Sequence, residues 1–360
     1  MAFNMYIYAH GGNAAFEHGK TDILDLSASI NPLGMPVGVA EAIARAAADC
    51  VRYPDSLSTA LREKIAQFEN VNPDWIFCGN GASDVIFRLP PTLQAAKVLV
   101  IAPSFSDYER SARAYGSEII RYALSAADGF NLDDGFAETA LAEKPGLTFL
   151  CNPNNPTGVL TGVNLIERLL ECCNQNGAYV AVDECFLDFA ENAGGLTSKN
   201  LLESHRNLII IKAFTKTFAL PGIRLGYAIC ADAALIDGLR SHGADWPVSA
   251  LAQAAGAAAL DGANEYIRRT ASFVSAERTA IVKELSELGL TVFGSKANYI
   301  FIRNPYAFDL CGELDKYGIR IRSCVNFHGL DRSYYRIAVS TSENNARLLS
   351  SLTEIVSRHS

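Results

Sequence analysis

Lys216 stands where a nucleophilic amine could work. It follows the apolar run Leu208–Ile211 and opens the segment Lys216-Thr217-Phe218-Ala219-Leu220-Pro221-Gly222-Ile223-Arg224. Burial at a strand end depresses a lysine pKa and frees the neutral amine that attacks an aldehyde, which makes Lys216 a candidate Schiff-base nucleophile. Lys212 is its competitor within the run, where a snorkelling lysine is the ordinary reading. Three further clusters could complete such a site. Gly79-Asn80-Gly81-Ala82-Ser83 links a strand pattern to a helix pattern. There, backbone N–H groups and the positive helix end suit a phosphate, although glycine also serves tight turns that bind nothing. Asn152-Pro153-Asn154-Asn155-Pro156-Thr157-Gly158 fixes a turn at a strand end and presents amide groups where α/β proteins take ligands. Asp183-Glu184 closes the buried run Ala178–Val182. A buried carboxylate needs a partner, and a protonated ring nitrogen is one; helix capping is the plainer alternative.

These residues need a sheet to bring them together. Apolar runs at 75–78, 97–102, 147–151, 178–182, 208–211 and 226–229 alternate with helical patterns such as 164–175. That alternation predicts a mostly parallel sheet covered on both faces, an α/β fold. From about residue 245 the pattern changes. A long helix over 263–288, strands at 298–303, 318–322 and 334–339, and a terminal helix over 343–358 predict a smaller α+β domain. The expected division is an N-terminal segment, 1–45, packing on the small domain and the active site, then a large domain, 46–245, and a small domain, 246–360.

The chain has 360 residues, 49% of them hydrophobic, which excludes wholesale disorder. Its net charge of 31 − 39 = −8 argues against a broad nucleic-acid surface but permits a local basic pocket. No apolar run approaches a membrane span, and residues 1–13 lack the basic start and apolar stretch of a signal peptide. Nine irregularly spaced cysteines read as reduced thiols of a cytoplasmic protein, and no Cys/His spacing fits a metal site.

Taken together and in this chain order, the four clusters resemble the fold type I pyridoxal-phosphate enzymes, the aspartate aminotransferase superfamily, over essentially the whole chain. The resemblance implies that Lys216 carries pyridoxal 5'-phosphate covalently and that Asp183 keeps the ring nitrogen protonated. It implies that Asn155 bonds the phenolic oxygen, that Gly81, Ala82, Ser83, Thr215 and Arg224 hold the phosphate, and that Phe105, or alternatively Tyr108, stacks on the ring. Tyr53, in Arg52-Tyr53-Pro54-Asp55, would reach the phosphate of a neighbouring subunit, which implies a homodimer. Two departures are visible: Ala213 stands where relatives often have a hydroxyl residue, and Phe186 stands where aminotransferases often have Tyr.

Within the superfamily, His10-Gly11-Gly12-Asn13, Ser27 to Pro36 and Arg320 to Asp331 look like threonine-phosphate decarboxylases of cobalamin biosynthesis, with histidinol-phosphate aminotransferases next. The implied substrate is a small phosphorylated amino acid. Arg336 would clamp its carboxylate, and Arg322, His10 and Gly11 would hold its phosphate, with Ser29, Asn31 and Asn155 beside it. Two arginines suit two multi-oxygen anions. Ser29 replaces an Asn of the decarboxylases, and Trp246-Pro247-Val248-Ser249 replaces their Trp-x-Val-Asn; both differences fall at positions expected to face the substrate.

Overall fold

The computed structural model describes residues 11–12 and 23–359. Thirteen strands are present in this part of the chain. β1 (Leu24–Asp25) precedes the strands of the large sheet: β2 (Ile76–Gly79), β3 (Lys97–Ala102), β4 (Glu118–Ala123), β5 (Leu147–Cys151), β6 (Tyr179–Asp183), β7 (Leu208–Ala213) and β8 (Gly226–Ile229). β9 (Thr291–Val292), β10 (Tyr299–Arg303), β11 (Ile319–Arg320), β12 (Arg322–Ser323) and β13 (Tyr334–Ala338) follow.

The large sheet has the order β2-β8-β7-β6-β5-β3-β4. Every neighbouring pair is parallel except those made by β8, which runs antiparallel to both β2 and β7. Its central strands are buried along nearly their whole length because helices cover both faces, as their continuous Val/Ile/Leu runs require. Helix Val163–Asn174 shows how: Ile166, Leu169, Leu170 and Cys173 form one buried stripe at helical spacing.

A second sheet, β12-β13-β10-β9, is wholly antiparallel. The expected strand over 318–322 is two short pieces. β11 pairs with β1 in parallel, while β12 crosses to β13 and sets Arg322 opposite Arg336. Helix Ala250–Ala259, which the expected division at 245 gives to the smaller domain, buries Ala252, Ala255 and Ala259 in the core of the large sheet. Another hydrophobic cluster runs from Phe77 and Phe149 of the large sheet to Tyr299 and Ile337 of the small one, so the two sheets share a continuous core. Between them lies a cavity of about 590 Å³, at the carboxyl ends of β5, β6 and β7.

Candidate active site

Strand ends place the chemistry. β6 finishes at Asp183 and β7 at Ala213, after which the single helical turn Phe214–Thr217 lifts Lys216 into the cavity. Burial, with Arg336 and Arg224 nearby, lowers the Lys216 pKa to about 8. Phe186 packs beside the amine, its ring centroid 5.7 Å from Nζ. The rival, Lys212, is ion-paired with Glu69 at 3.2 Å and Asp188 at 3.4 Å. These carboxylates and Glu184 outweigh the cost of burial and raise the Lys212 pKa, so Lys212 stays protonated. The two lysines, four residues apart, have opposite electrostatic fates, and only Lys216 can act as a nucleophile at moderate pH.

Asp183 is buried, accepts a hydrogen bond from Tyr108 Oη at 2.7 Å and another from the Cys185 N–H at 2.9 Å. Burial raises its pKa against those two bonds. A cationic partner at the cavity would therefore be stabilised strongly, as a protonated ring nitrogen would be. Tyr108 is committed to this bond and stacks on Phe149 at 4.8 Å. Phe105, edge-on to Tyr108 at the cavity wall, is left as the aromatic that can cover a ring. Tyr108 also lines the cavity, and its hydroxyl orients Asp183.

The turn expected to take a phosphate is built around Gly81. Its φ of +80° suits only glycine, and a Cβ there would lie 2.7 Å from an Arg224 guanidinium nitrogen. Gly81 thus contributes by lacking a side chain, while Ala82 and Ser83 at the start of helix Ala82–Thr92 line the cavity with Thr215 and Arg224. The Ser83 hydroxyl donates to the buried Asp107 at 3.1 Å, so the backbone N–H groups are the ready donors at this end. The cradle, the cation and the buried carboxylate opposite them fit a molecule carrying a phosphate at one end and a basic ring nitrogen at the other.

Two arginines face the same cavity. Arg336 is buried, donates to Asn155 and to the Ser27 carbonyl at 2.9 Å, and leaves its Nε–H without an acceptor. It has no carboxylate partner among the described residues. Asn155 accepts from Arg336 through its oxygen, which leaves its NH2 group to donate elsewhere. Arg322 donates to Asn326 at 2.7 Å, and its guanidinium lies 5.5 Å from the Phe327 ring. Two cations directly opposite on paired strands repel, and burial lowers the pKa of both.

Other expected site residues are placed differently. Gly11, Ser27 and Ala28 line the cavity, but Ser29 and Asn31 do not. Ser29 is buried with an unpartnered hydroxyl. Asn31 is fully used beneath Lys216: its amide donates to the Thr217 carbonyl at 2.7 Å and to Thr270 at 2.9 Å, and its backbone N–H donates to the Lys216 carbonyl at 3.2 Å. Ser249 caps helix Ala250–Ala259, accepting from Ala252 N–H at 3.2 Å. Tyr53 is 80% exposed and stacks on Trp246, away from this chain's cavity. His10 lies outside the described residues. Sequence reasoning missed the wall made by Asn326 and Phe327, within the segment Arg320 to Asp331, and the acceptor role of Asp107, between Phe105 and Tyr108.

Fold and site together define a pyridoxal-phosphate enzyme of the aspartate aminotransferase-like, fold type I architecture. Residues 21–352 match the model of the class I and II aminotransferases, and the chain belongs to that family, whose cofactor is pyridoxal 5'-phosphate. It is 36% identical to the threonine-phosphate decarboxylase of Salmonella typhimurium over 97% of this chain and 96% of that one. It is 33% identical to the histidinol-phosphate aminotransferase of Methanothermobacter thermautotrophicus, covering 94% and 90% of the two chains. Among solved structures, the histidinol-phosphate aminotransferase of Clostridium acetobutylicum superposes with a TM-score of 0.86 at 28% identity, over 93% of this chain and all of that one.

Proposed function

We propose that this enzyme decarboxylates an O-phospho-amino acid, L-threonine O-3-phosphate, to (R)-1-aminopropan-2-ol O-2-phosphate for cobalamin assembly. The observation that carries the reading is the facing pair Arg322 and Arg336, a half-buried and a buried cation on adjacent strands at one cavity. A substrate with a carboxylate and a phosphate answers both. The similarity to the Salmonella decarboxylase along nearly the whole chain supports the same choice.

Bound pyridoxal phosphate supplies the electron sink for a bond broken at the substrate Cα. The protein's task is to choose the bond. Arg336 would hold the carboxylate and Arg322 the phosphate, and the Cα–carboxylate bond is cleaved if this grip turns the carboxylate out of the plane of the ring. Asp183 keeps a proton on the ring nitrogen. Lys216, with its lowered pKa, would hold the cofactor, and Lys216 or a nearby acid would supply the proton that replaces the carboxylate at Cα. Phe186 offers no hydroxyl beside the amine.

A histidinol-phosphate aminotransferase is the second reading, favoured by the 33% identity to such an enzyme. It uses the same lysine, aspartate and phosphate cradle but removes the Cα proton instead. Incubation with phosphothreonine, phosphoserine or histidinol phosphate, each with 2-oxoglutarate, separates the two. The decarboxylase reading expects consumption of phosphothreonine without glutamate; glutamate formed from histidinol phosphate, with phosphothreonine untouched, overturns it.

We place the enzyme in the cytoplasm as a homodimer. Nine unpaired cysteines support the compartment. The exposed apolar side chains Val37, Val51 and Tyr53 support the dimer. Among the described residues no helix is long and apolar enough to cross a membrane, and no cluster could hold a metal ion.

A further inference from the structure

Below the cavity lies a buried polar network that the chemistry above does not use. Glu69 accepts from Tyr227 Oη at 2.6 Å and pairs with Lys199 at 3.1 Å and Lys212 at 3.2 Å. Lys212 continues to Asp188 at 3.4 Å. The other oxygen of Asp188 accepts from the Thr217 hydroxyl at 2.9 Å. One carboxylate therefore ties the residue four before Lys216 to the residue just after it.

A four-residue helical turn has little stability of its own, since the first turn fixes several dihedrals for a single bond. The turn bearing Lys216 needs outside anchors. Asn31 supplies one on the carbonyl side. Asp188 supplies the other, and its own position is firm because Leu187 and Phe189, on either side of it, are fully buried. Asp188 is also five residues after Asp183. One short segment thus carries the carboxylate for the ring nitrogen at its start and the anchor of the lysine turn at its end.

We propose that Asp188, through Thr217 and Lys212, is a positioning residue that fixes Lys216 relative to Asp183. This rests on the reading of Lys216 as the reactive amine. Asp188 touches neither cofactor nor substrate. It holds the amine in the surroundings that set its protonation: Arg336, Arg224, Asp183 and Cys185, beside the Phe186 ring. A loosened turn lets the ammonium reach water and move away from the two arginines, which relaxes its pKa upward.

The test uses the full chain freed of cofactor. Competitive labelling with acetic anhydride across pH, followed by peptide mapping, reads the ionisation midpoint of Lys216. Pyridoxal phosphate addition with borohydride trapping reads the rate of covalent attachment. Thr217→Val and Asp188→Ala should raise the midpoint from about 8 toward 10.5 and slow attachment about tenfold or more. The double variant should be no worse than the single ones, because both remove the same link. Thr217→Ser should restore both readouts. Should Asp188→Ala not fold, Thr217→Val decides alone, since it removes only the hydroxyl. Unchanged midpoint and rate in folded Thr217→Val overturn the proposal while leaving Lys216 as the reactive amine. Wild-type protein that traps no cofactor at Lys216 overturns that reading as well.

Discussion

At the scale of single residues, the decisive contrast is between Lys212 and Lys216. Both lie at the end of apolar sequence, and position in the run favours Lys216 without showing why Lys212 stays charged. Burial costs both ammonium groups, but carboxylates surround Lys212 and arginines flank Lys216. The sign of the neighbouring charge decides which amine is neutral. It follows that cofactor attachment to the protein rises with pH and levels off above about 8, because the attacking form is the unprotonated amine and the folded pKa is lowered. A stopped-flow pH profile checks this; a plateau only near 10.5 contradicts it. Asp183 and Asn155 were legible as residue types at a strand end and a turn, whereas Arg224, Arg322 and Arg336 were expected at the site only through the family resemblance. Ser29, Asn31 and Ser249 were not placed correctly. Whether a side chain near a site faces the ligand or the scaffold depends on one rotation of the backbone, which motif spacing does not fix.

At the scale of elements, the continuous apolar runs predicted the central strands well, since strands buried on both faces leave no other signature. β4 escaped notice. It is the edge strand of the large sheet, and its sequence Glu-Ile-Ile-Arg-Tyr-Ala mixes charge with apolar residues because one side of it has no strand neighbour. The split of 318–322 into β11 and β12 was equally hidden, as the chain changes partner at Ile321, which is buried throughout. The turn into helix Ala82–Thr92 carries its own prediction. Gly81→Ala should cost about 1–3 kcal/mol of stability for its backbone conformation. It should also weaken cofactor binding, because the new methyl displaces the Arg224 guanidinium. Thermal melting and cofactor titration measure the two effects separately. Loss of stability with unchanged cofactor affinity would show that Arg224 does not depend on this close approach.

At the scale of the whole molecule, two sheets with a shared core hold the arginines from one side and the lysine and aspartate from the other. Any shear between the sheets changes the distance from Arg336 to Lys216 and Asp183. The exposed side chains Val37 and Val51 lie on the stretch that precedes Tyr53. Val37→Asp with Val51→Asp should therefore halve the mass seen by sedimentation and lower activity together, if Tyr53 completes a partner's phosphate site. Monomers with full activity would show each cavity to be self-sufficient. The most direct trial of the account follows the fate of one carbon. L-threonine O-3-phosphate labelled with carbon-13 at the carboxylate, given to the cofactor-loaded enzyme without 2-oxoglutarate, should release one labelled carbon dioxide per aminopropanol phosphate formed. Label retained in a 2-oxo acid, with the cofactor left in its amine form, would contradict it.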